Sequence, residues 1–272
     1  MEAIRTAICD AVEKDHPMTV RQVFYRLVVE GVVPKVEGRG YRTVARELRK
    51  MRRSGRIPYA WIVDSSRTVR RPSQYGSMEE ALRHTARFYR RNLWGDLPDY
   101  IQIWMEKEAL AGVAWDVTED MGVSLWVARG YSSISYLYDA GKRINNAIGA
   151  GKTAYIYNLG DHDPSGCDAW ETVCRDLRAF ADEPSRVHFD RIAVTPEQIR
   201  AMDLPSRPPK KSDSRSEGFE DESVQLDSIP PDGLRRIIRE AIEAHIPEHV
   251  RIAHERTEER ERATLYEIQD YL

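Results

Sequence analysis

The chain has 272 residues, 41% of them hydrophobic, with 41 Lys+Arg against 44 Asp+Glu. That is enough for one large domain or two ordinary ones with real cores, and it excludes wholesale disorder and collagen-like or low-complexity architecture. The charge is unevenly placed. Residues 1–100 hold 20 basic and 12 acidic residues, and the other 172 hold 21 and 32, so a basic first third suited to a polyanion precedes an acidic remainder. No apolar run approaches the ~18 residues of a membrane span. The start MEAIRTAICDAVEKDH lacks a signal-peptide apolar core. Cys9, Cys167 and Cys174 form neither a CxxC pair nor a disulfide framework. The expectation is a soluble cytoplasmic protein, nucleoid-associated if bacterial, with small buried cysteines and no membrane partner.

In chain order, residues 1–14 read as a short helix, and Thr19 is a plausible N-cap for the next. In VRQVFYRLVVEG, Val20, Val23, Phe24, Leu27 and Val28 form a core-facing stripe, ended by Gly31. A second amphipathic helix over about 41–54 has Val44, Leu48 and Met51 inside. Around it Arg39, Arg42, Arg46, Arg49, Lys50, Arg52, Arg53 and Arg56 stand against Glu47 alone. IPYAWIVDSSR (57–67) then reads as a strand pair or wing. Helix, helix, basic helix and strands are the order of a winged helix-turn-helix, the plainer alternative being a solvated basic helix on an ordinary bundle.

A linking helix (77–94) leads to a different texture. Strands at 100–104, 123–128 and 153–160, with a fourth at RVHFDRIAV, alternate with helices in EKEALAGVAWDVTEDMG, SISYLYDAGKRINNAIGAG and SGCDAWETVCRDLRAF. This is the pattern of a parallel α/β sheet. Residues 203–232, rich in Pro, Ser and charge, read as an irregular loop with one edge strand at SVQLDSI. Two C-terminal helices follow, separated by Pro247, the second charged and with little apolar face. The predicted organisation is a winged-helix domain (1–97), an α/β domain (98–202) and a loop plus helical C-terminal extension (203–272).

Three carboxylates fall where ligands gather in open parallel sheets, at the carboxyl ends of strands. Glu106 follows the first strand, and Asp161 and Asp163 follow the third in GDHDPSG. Such a hard oxygen site suits Mg²⁺, with Mn²⁺ as a substitute. The plainer alternative is a helix cap and ordinary turn residues. On the helix starting at Val20, Arg21 and Tyr25 are i, i+4 neighbours on the flank of the apolar stripe. A tyrosine hydroxyl beside a guanidinium can attack a phosphodiester and leave a covalent phosphotyrosyl bond; the alternative is an amphipathic helix-edge tyrosine.

On these residues a resemblance rests. Arg21 to Tyr25, reading arginine-x-x-aromatic-tyrosine, is similar to the A subunit of topoisomerase VI and its meiotic double-strand-break relative. Met105 to Ala109 and Asp161 to Gly166 resemble that family's Toprim glutamate and D-x-D-P-x-G, in the family's order. The closer likeness is to short stand-alone winged-helix–Toprim proteins of bacteria and phages. The resemblance covers about residues 15–180. It implies that Tyr25 is the nucleophile and Arg21 its phosphate partner, and that Glu106, Asp161 and Asp163 bind Mg²⁺, Glu106 also serving in catalysis. It further implies a homodimer that cuts both strands of double-stranded DNA with 5′-phosphotyrosyl links, one subunit's tyrosine meeting its partner's metal, and a separate GHKL-type ATPase subunit. This chain lacks most of the family's N-terminal extension and carries Ser132 and Ser133 where a Pro and an acidic residue often stand; these serines are expected to cap the following helix. Arg42, Arg46, Arg49 and Arg67 would track DNA phosphates.

Two alternatives stand beside this transesterase: a Toprim metal nuclease using water, and a non-catalytic DNA-binding protein. GAGKT (149–153) is not read as a P-loop, because Asn146 stands where Gly is needed and a strand follows. His245 and His249 are expected to be surface residues, and Lys210, Lys211 and Arg215 part of a solvated loop.

Overall fold

The computed structural model describes residues 1–34, 40–62, 72, 74–128, 130, 132–208, 219 and 222–270, in an α/β arrangement. Helices α1 (Glu2–Asp15), α2 (Val20–Val29) and α3 (Arg42–Arg53) close on one another through single apolar faces. Ile8, Val12, Val23, Phe24, Leu27, Val44, Leu48 and Met51 make their common core. Thr19 starts α2 with a reciprocal capping box: Gln22 N–H donates to Thr19 Oγ1 at 3.2 Å, and Thr19 N–H donates to Gln22 Oε1 at 2.8 Å.

Glu47 is the one acid of α3 and is buried at 1% exposure. It accepts from Arg5 at 3.0 Å and Arg46 at 3.2 Å, with Lys50 at 3.5 Å. Burial works to raise its pKa, but the Arg5 and Arg46 hydrogen bonds outweigh burial and hold it below 4.5. A lowered carboxylate contributes stability that is present above the unfolded pKa and lost as pH falls through the folded one. Glu47→Gln is therefore expected to melt a few degrees below wild type at pH 7. The gap should close as pH drops below about 4.5, which a pH series of thermal melts checks.

The expected strand pair over 57–67 begins differently. Pro58 has no N–H to give a ladder, and Tyr59–Trp61 forms one 3₁₀ turn. Ile62 makes only an isolated parallel bridge to Met18. Residues 63–71, with Arg67 and the rest of the expected wing, lie outside the described residues, as do Lys210, Lys211 and Arg215.

The linking helix α4 (Met78–Phe88) stops six residues before the expected end. Tyr89 and Arg91 turn instead to α10 (Glu248–Asp270). Tyr89 Oη donates to Glu261 at 2.8 Å, Arg91 N–H donates to Glu258 at 2.9 Å, and the Arg91 guanidinium pairs with Glu261. Polar contacts, rather than an apolar stripe, explain how so charged a helix finds a seat.

The sheet is all parallel in the order β2-β1-β3-β4, formed by β1 (Asp99–Met105), β2 (Ser124–Val127), β3 (Thr153–Leu159) and β4 (Val187–Ala193). Alternation along β1 sends Ile101, Ile103 and Met105 to one face. There they pack with α5 (Ala111–Asp120) and α9 (Pro231–Glu243), through Val113 and Val117 on one helix and Leu234, Ile238 and Ile242 on the other. Trp104, with Trp126 and Ile156, packs on the opposite face under α6 (Ile134–Gly149) and α7 (Pro164–Phe180). Both faces are covered, as parallel sheets require. Of the two serines expected to cap α6, Ser133 does so, its Oγ accepting from Tyr136 N–H at 3.3 Å, while Ser132 Oγ is buried without a partner in the protein. The short α8 (Pro196–Ala201) follows β4.

The segment after residue 203 shares the sheet's core through Leu204, Val224, Leu226 and Ile229. Its expected edge strand is reduced to two bridges, Val224 to His162 and Ser223 to Arg207, followed by a 3₁₀ turn at Leu226–Ser228. His245, expected at the surface, is largely buried against the sheet. Its Nδ1 is 2.7 Å from Asp99 Oδ2 and its Nε2 2.6 Å from Tyr157 Oη. Burial first, and the nearby Asp190 second, push the Tyr157 phenol up to about 12. Among the described residues no helix is long and apolar enough to cross a membrane.

Candidate functional site

The carboxyl ends of β1 and β3 are neighbours in the sheet, Met105 in register with Leu159. That register brings residues 106 and 160–163 together from positions over fifty apart in sequence. Glu106 continues the alternation of Gln102 and Trp104 toward the α7 side. Its Oε2 lies 3.5 Å from where a Cβ on Gly160 would stand and 3.3 Å from where one on Gly166 would stand. Burial first, then the Asp161 carboxylate, raise the Glu106 pKa above its ordinary value, with Asp163 adding to the effect. An acid raised by burial and by two like charges sits where a cation is electrostatically favoured.

The two aspartates are engaged by the protein itself. Asp163 is the N-cap of α7, accepting from Gly166 N–H at 2.8 Å, a helix cap where the plainer reading expected a turn residue. Asp161, 8% exposed, accepts from Leu226 N–H at 2.8 Å and pairs with Lys107 Nζ at 2.9 Å. Lys107 also reaches the buried Asp227 at 2.5 Å. Burial pulls the Lys107 pKa down, but the Asp227 and Asp161 carboxylates outweigh burial and raise it above 10.5.

Gly166 sits at the tightest point. A Cβ there would stand 2.5 Å from the Asp161 carbonyl oxygen, a backbone atom that cannot swing away. Gly166→Ala is expected to destabilise the protein by about 1–3 kcal/mol and to lower its melting temperature by roughly 5 °C, read by calorimetry.

The sequence offers Mg²⁺ for Glu106, Asp161 and Asp163, and the structure tests the fit. Among the described residues no three His, Cys, Asp or Glu side chains form a group able to hold a metal ion by themselves. The donor set is nevertheless a hard one. Asn158 Oδ1 is buried without a partner in the protein and, like Glu106 Oε2, lies within 3.5 Å of the Gly160 Cβ position. Arg191 Nη2 stands 3.0 Å from the same position and donates to the Asp161 carbonyl oxygen, so the donors around Glu106 are few, which fits a cation that keeps several waters and takes only one or two protein ligands, as Mg²⁺ does.

Tyr25 and Arg21 belong to the same neighbourhood. Tyr25, expected on the flank of the α2 stripe, is buried at 3% exposure within the helical core. It lies where α2 packs onto the 226–228 turn. Its hydroxyl donates to Gln225 Oε1, a close contact, and Arg21 Nη2 donates to the same oxygen at 3.4 Å. Arg21 Nε is 3.4 Å from Asp227 Oδ2. A continuous polar chain therefore runs from Tyr25 through Gln225, Arg21, Asp227 and Lys107 to Asp161, all within one molecule. Arg42, Arg46 and Arg49 are exposed on α3, outside this chain, and Arg46 leans on Glu47.

Lys107, Asn158, Gln225 and Asp227 are members of the site that sequence reasoning did not assign. Lys107 lies in the Met105–Ala109 segment, and its position directly after Glu106 is the available signal. Gln225 and Asp227 stand in a run read only as an edge strand and carried none. Compared with protein-family models, curated proteins and solved structures, the chain matches none of them.

Proposed function

We propose that this protein is a Mg²⁺-dependent DNA-cleaving transesterase of the topoisomerase VI A-subunit type, with a winged-helix half built on α1 to α3 and a Toprim half built on the parallel sheet. The observation that carries the reading is the single polar chain joining Tyr25 and Arg21 of α2 to Asp161, beside Glu106. Arg21 and Tyr25 on α2 and Asp161 after β3, far apart in the sequence, share one neighbourhood within one molecule. The resemblance implies that the tyrosine meets the partner's metal, so in this reading the contact is the resting arrangement, which α2 leaves for cleavage.

In this reading the Tyr25 oxygen attacks a backbone phosphorus. The phosphotyrosyl ester forms as the P–O3′ bond breaks, and the phenolic proton ends on the 3′ oxygen. Arg21 holds a non-bridging phosphate oxygen. Glu106, with Asn158 and the two aspartates around it, would hold Mg²⁺, which would neutralise charge developing on phosphate. Arg42, Arg46 and Arg49, with Arg67, would follow the backbone of double-stranded DNA and fix position rather than sequence. A homodimer, and a separate GHKL-type ATPase as further partner, complete the proposal.

The test incubates supercoiled plasmid with the protein and Mg²⁺ or Mn²⁺, stops with SDS, and runs gels with and without protease digestion. Linear DNA that enters the gel only after protease supports the reading. A second reading, a metal nuclease that activates water, is favoured by the 3% exposure of Tyr25; it predicts protein-free ends. Metal binding is checked without activity. At about ten times its Kd, Mg²⁺ should contribute about 1.4 kcal/mol, raising the melting temperature by about 2–4 °C. Glu106→Gln should lose that rise.

A further inference from the structure

We propose that Gln225 and Asp227 form a latch that holds Tyr25 and Arg21 in a resting state, and that the DNA backbone competes with the latch for these two residues. This rests on the transesterase reading and adds its regulation.

The argument begins with what each partner supplies. Gln225 Oε1 accepts from the Tyr25 hydroxyl and from Arg21 Nη2. The bond ties the hydroxyl to a neutral acceptor on the loop. Asp227 Oδ2 lies 3.4 Å from Arg21 Nε, offering the guanidinium an anionic oxygen of the kind a phosphodiester would offer. The latch thus stands in for substrate at Arg21 while shielding the nucleophile, which is only 3% exposed. No phosphodiester reaches Tyr25 in this arrangement.

The seam that must open is also the one that is poorly satisfied. Val224 and Leu226 are fully buried in the sheet core, and Leu226 N–H is fixed to Asp161. The 224–227 segment therefore belongs to the sheet, and α2 is the side that moves away. Between them lies a cavity of about 190 Å³ bordered by Gln22, Asp227 and Ser228, with Met18, Met202 and Leu204. Gln22 Nε2, Asp227 Oδ1 and Ser228 Oγ are buried there without a partner in the protein. Parting the seam exposes these groups to solvent, which offsets part of what the latch contacts contribute.

The experiment reads Tyr25 directly. Full-length protein is treated with tetranitromethane, and nitration of Tyr25 is followed by peptide mass mapping in wild type, Gln225→Ala and Gln225→Glu. The plasmid assay runs in parallel. Loss of the two Gln225 hydrogen bonds should raise Tyr25 nitration and covalent adduct formation in Gln225→Ala by about tenfold or more. Gln225→Glu, which keeps the acceptor and adds charge facing Arg21, should lower both. Unchanged nitration in Gln225→Ala overturns the latch, as does higher nitration with fewer adducts, because Gln225 would then position Tyr25 for attack. Raised nitration with no adduct in any variant keeps the latch and overturns the transesterase reading instead. If Gln225→Ala fails to fold, seen as nitration of every tyrosine, Gln225→Glu decides alone, and equal or greater nitration and adduct formation than in wild type overturn the proposal.

Discussion

Replacing Lys107 by Met is expected to cost the fold about 3–5 kcal/mol, because it removes one partner from a buried ionic cluster and leaves its acids behind. The Lys107 ammonium is the shared counter-charge of Asp161 at 2.9 Å and of Asp227 at 2.5 Å, and the Asp227 side chain is wholly buried. Methionine fills similar volume, so the loss is electrostatic rather than a cavity. A change of that size lowers the melting temperature by roughly 10 °C in a chain of this length. The sign with pH follows from the direction of the Lys107 shift. Its folded pKa is raised above 10.5, so its contribution is fully present below the unfolded lysine pKa and is lost as pH rises through the folded one. Wild type and Lys107→Met should therefore differ across the neutral range and converge only above about pH 10.5. Urea melts at pH 7 and at pH 11 measure both the size and the convergence. Equal stability at pH 7 would show that the two aspartates do not depend on this lysine.

Tyr25→Phe is expected to abolish protein-linked DNA, a fall of about 10⁴-fold or more if Tyr25 is the nucleophile, since removing a nucleophile removes the covalent route altogether. The same substitution should leave the fold nearly intact. The ring keeps its place against Phe24, at 5.2 Å between centroids, and Gln225 Oε1 retains its bond from Arg21 at 3.4 Å. One buried hydrogen bond is lost, about 1 kcal/mol. That contrast is diagnostic, because a large loss of cleavage with a small loss of stability separates chemistry from folding. Protease-sensitive linear DNA should vanish in Tyr25→Phe while thermal melts stay within a few degrees. Protein-free breaks that persist would assign cleavage to the metal and water instead.

Much of the fold was legible because it depends on local periodicity. The α2 stripe, its Thr19 cap, and the alternation of strands with helices over 100–193 are set by residues within a few positions of one another. Distant partners decide the rest. Tyr89 and Arg91 leave the predicted helix to meet Glu258 and Glu261, some 170 residues on. His245 was read as a surface residue because nothing near it in sequence shows that Asp99 and Tyr157 flank it. The 223–229 run looks like a strand by composition, yet its Leu226 N–H donates to the Asp161 carboxylate instead of to a ladder.

The carboxylates show the same division. Their positions at strand ends followed from sequence alone, since strand boundaries and the D-x-D-P-x-G spacing are local. Which of them point to a common place, and what already holds them, did not. Asp163 caps α7, Asp161 is tied to Lys107, and Asn158 joins Glu106 through a register set between β1 and β3. By itself the sequence determined the helices over 1–54, the alternation of strands and helices over 100–193 and the charge asymmetry, and it offered Tyr25, Arg21, Glu106, Asp161 and Asp163 as candidates. Only the tertiary structure decided that Tyr25 is buried under Gln225 and that one polar chain links it to Asp161. Hydrogen bonds and ion pairs act over a few ångströms of space, and the loop that supplies these two contacts lies about 200 residues along the chain from the helix it meets.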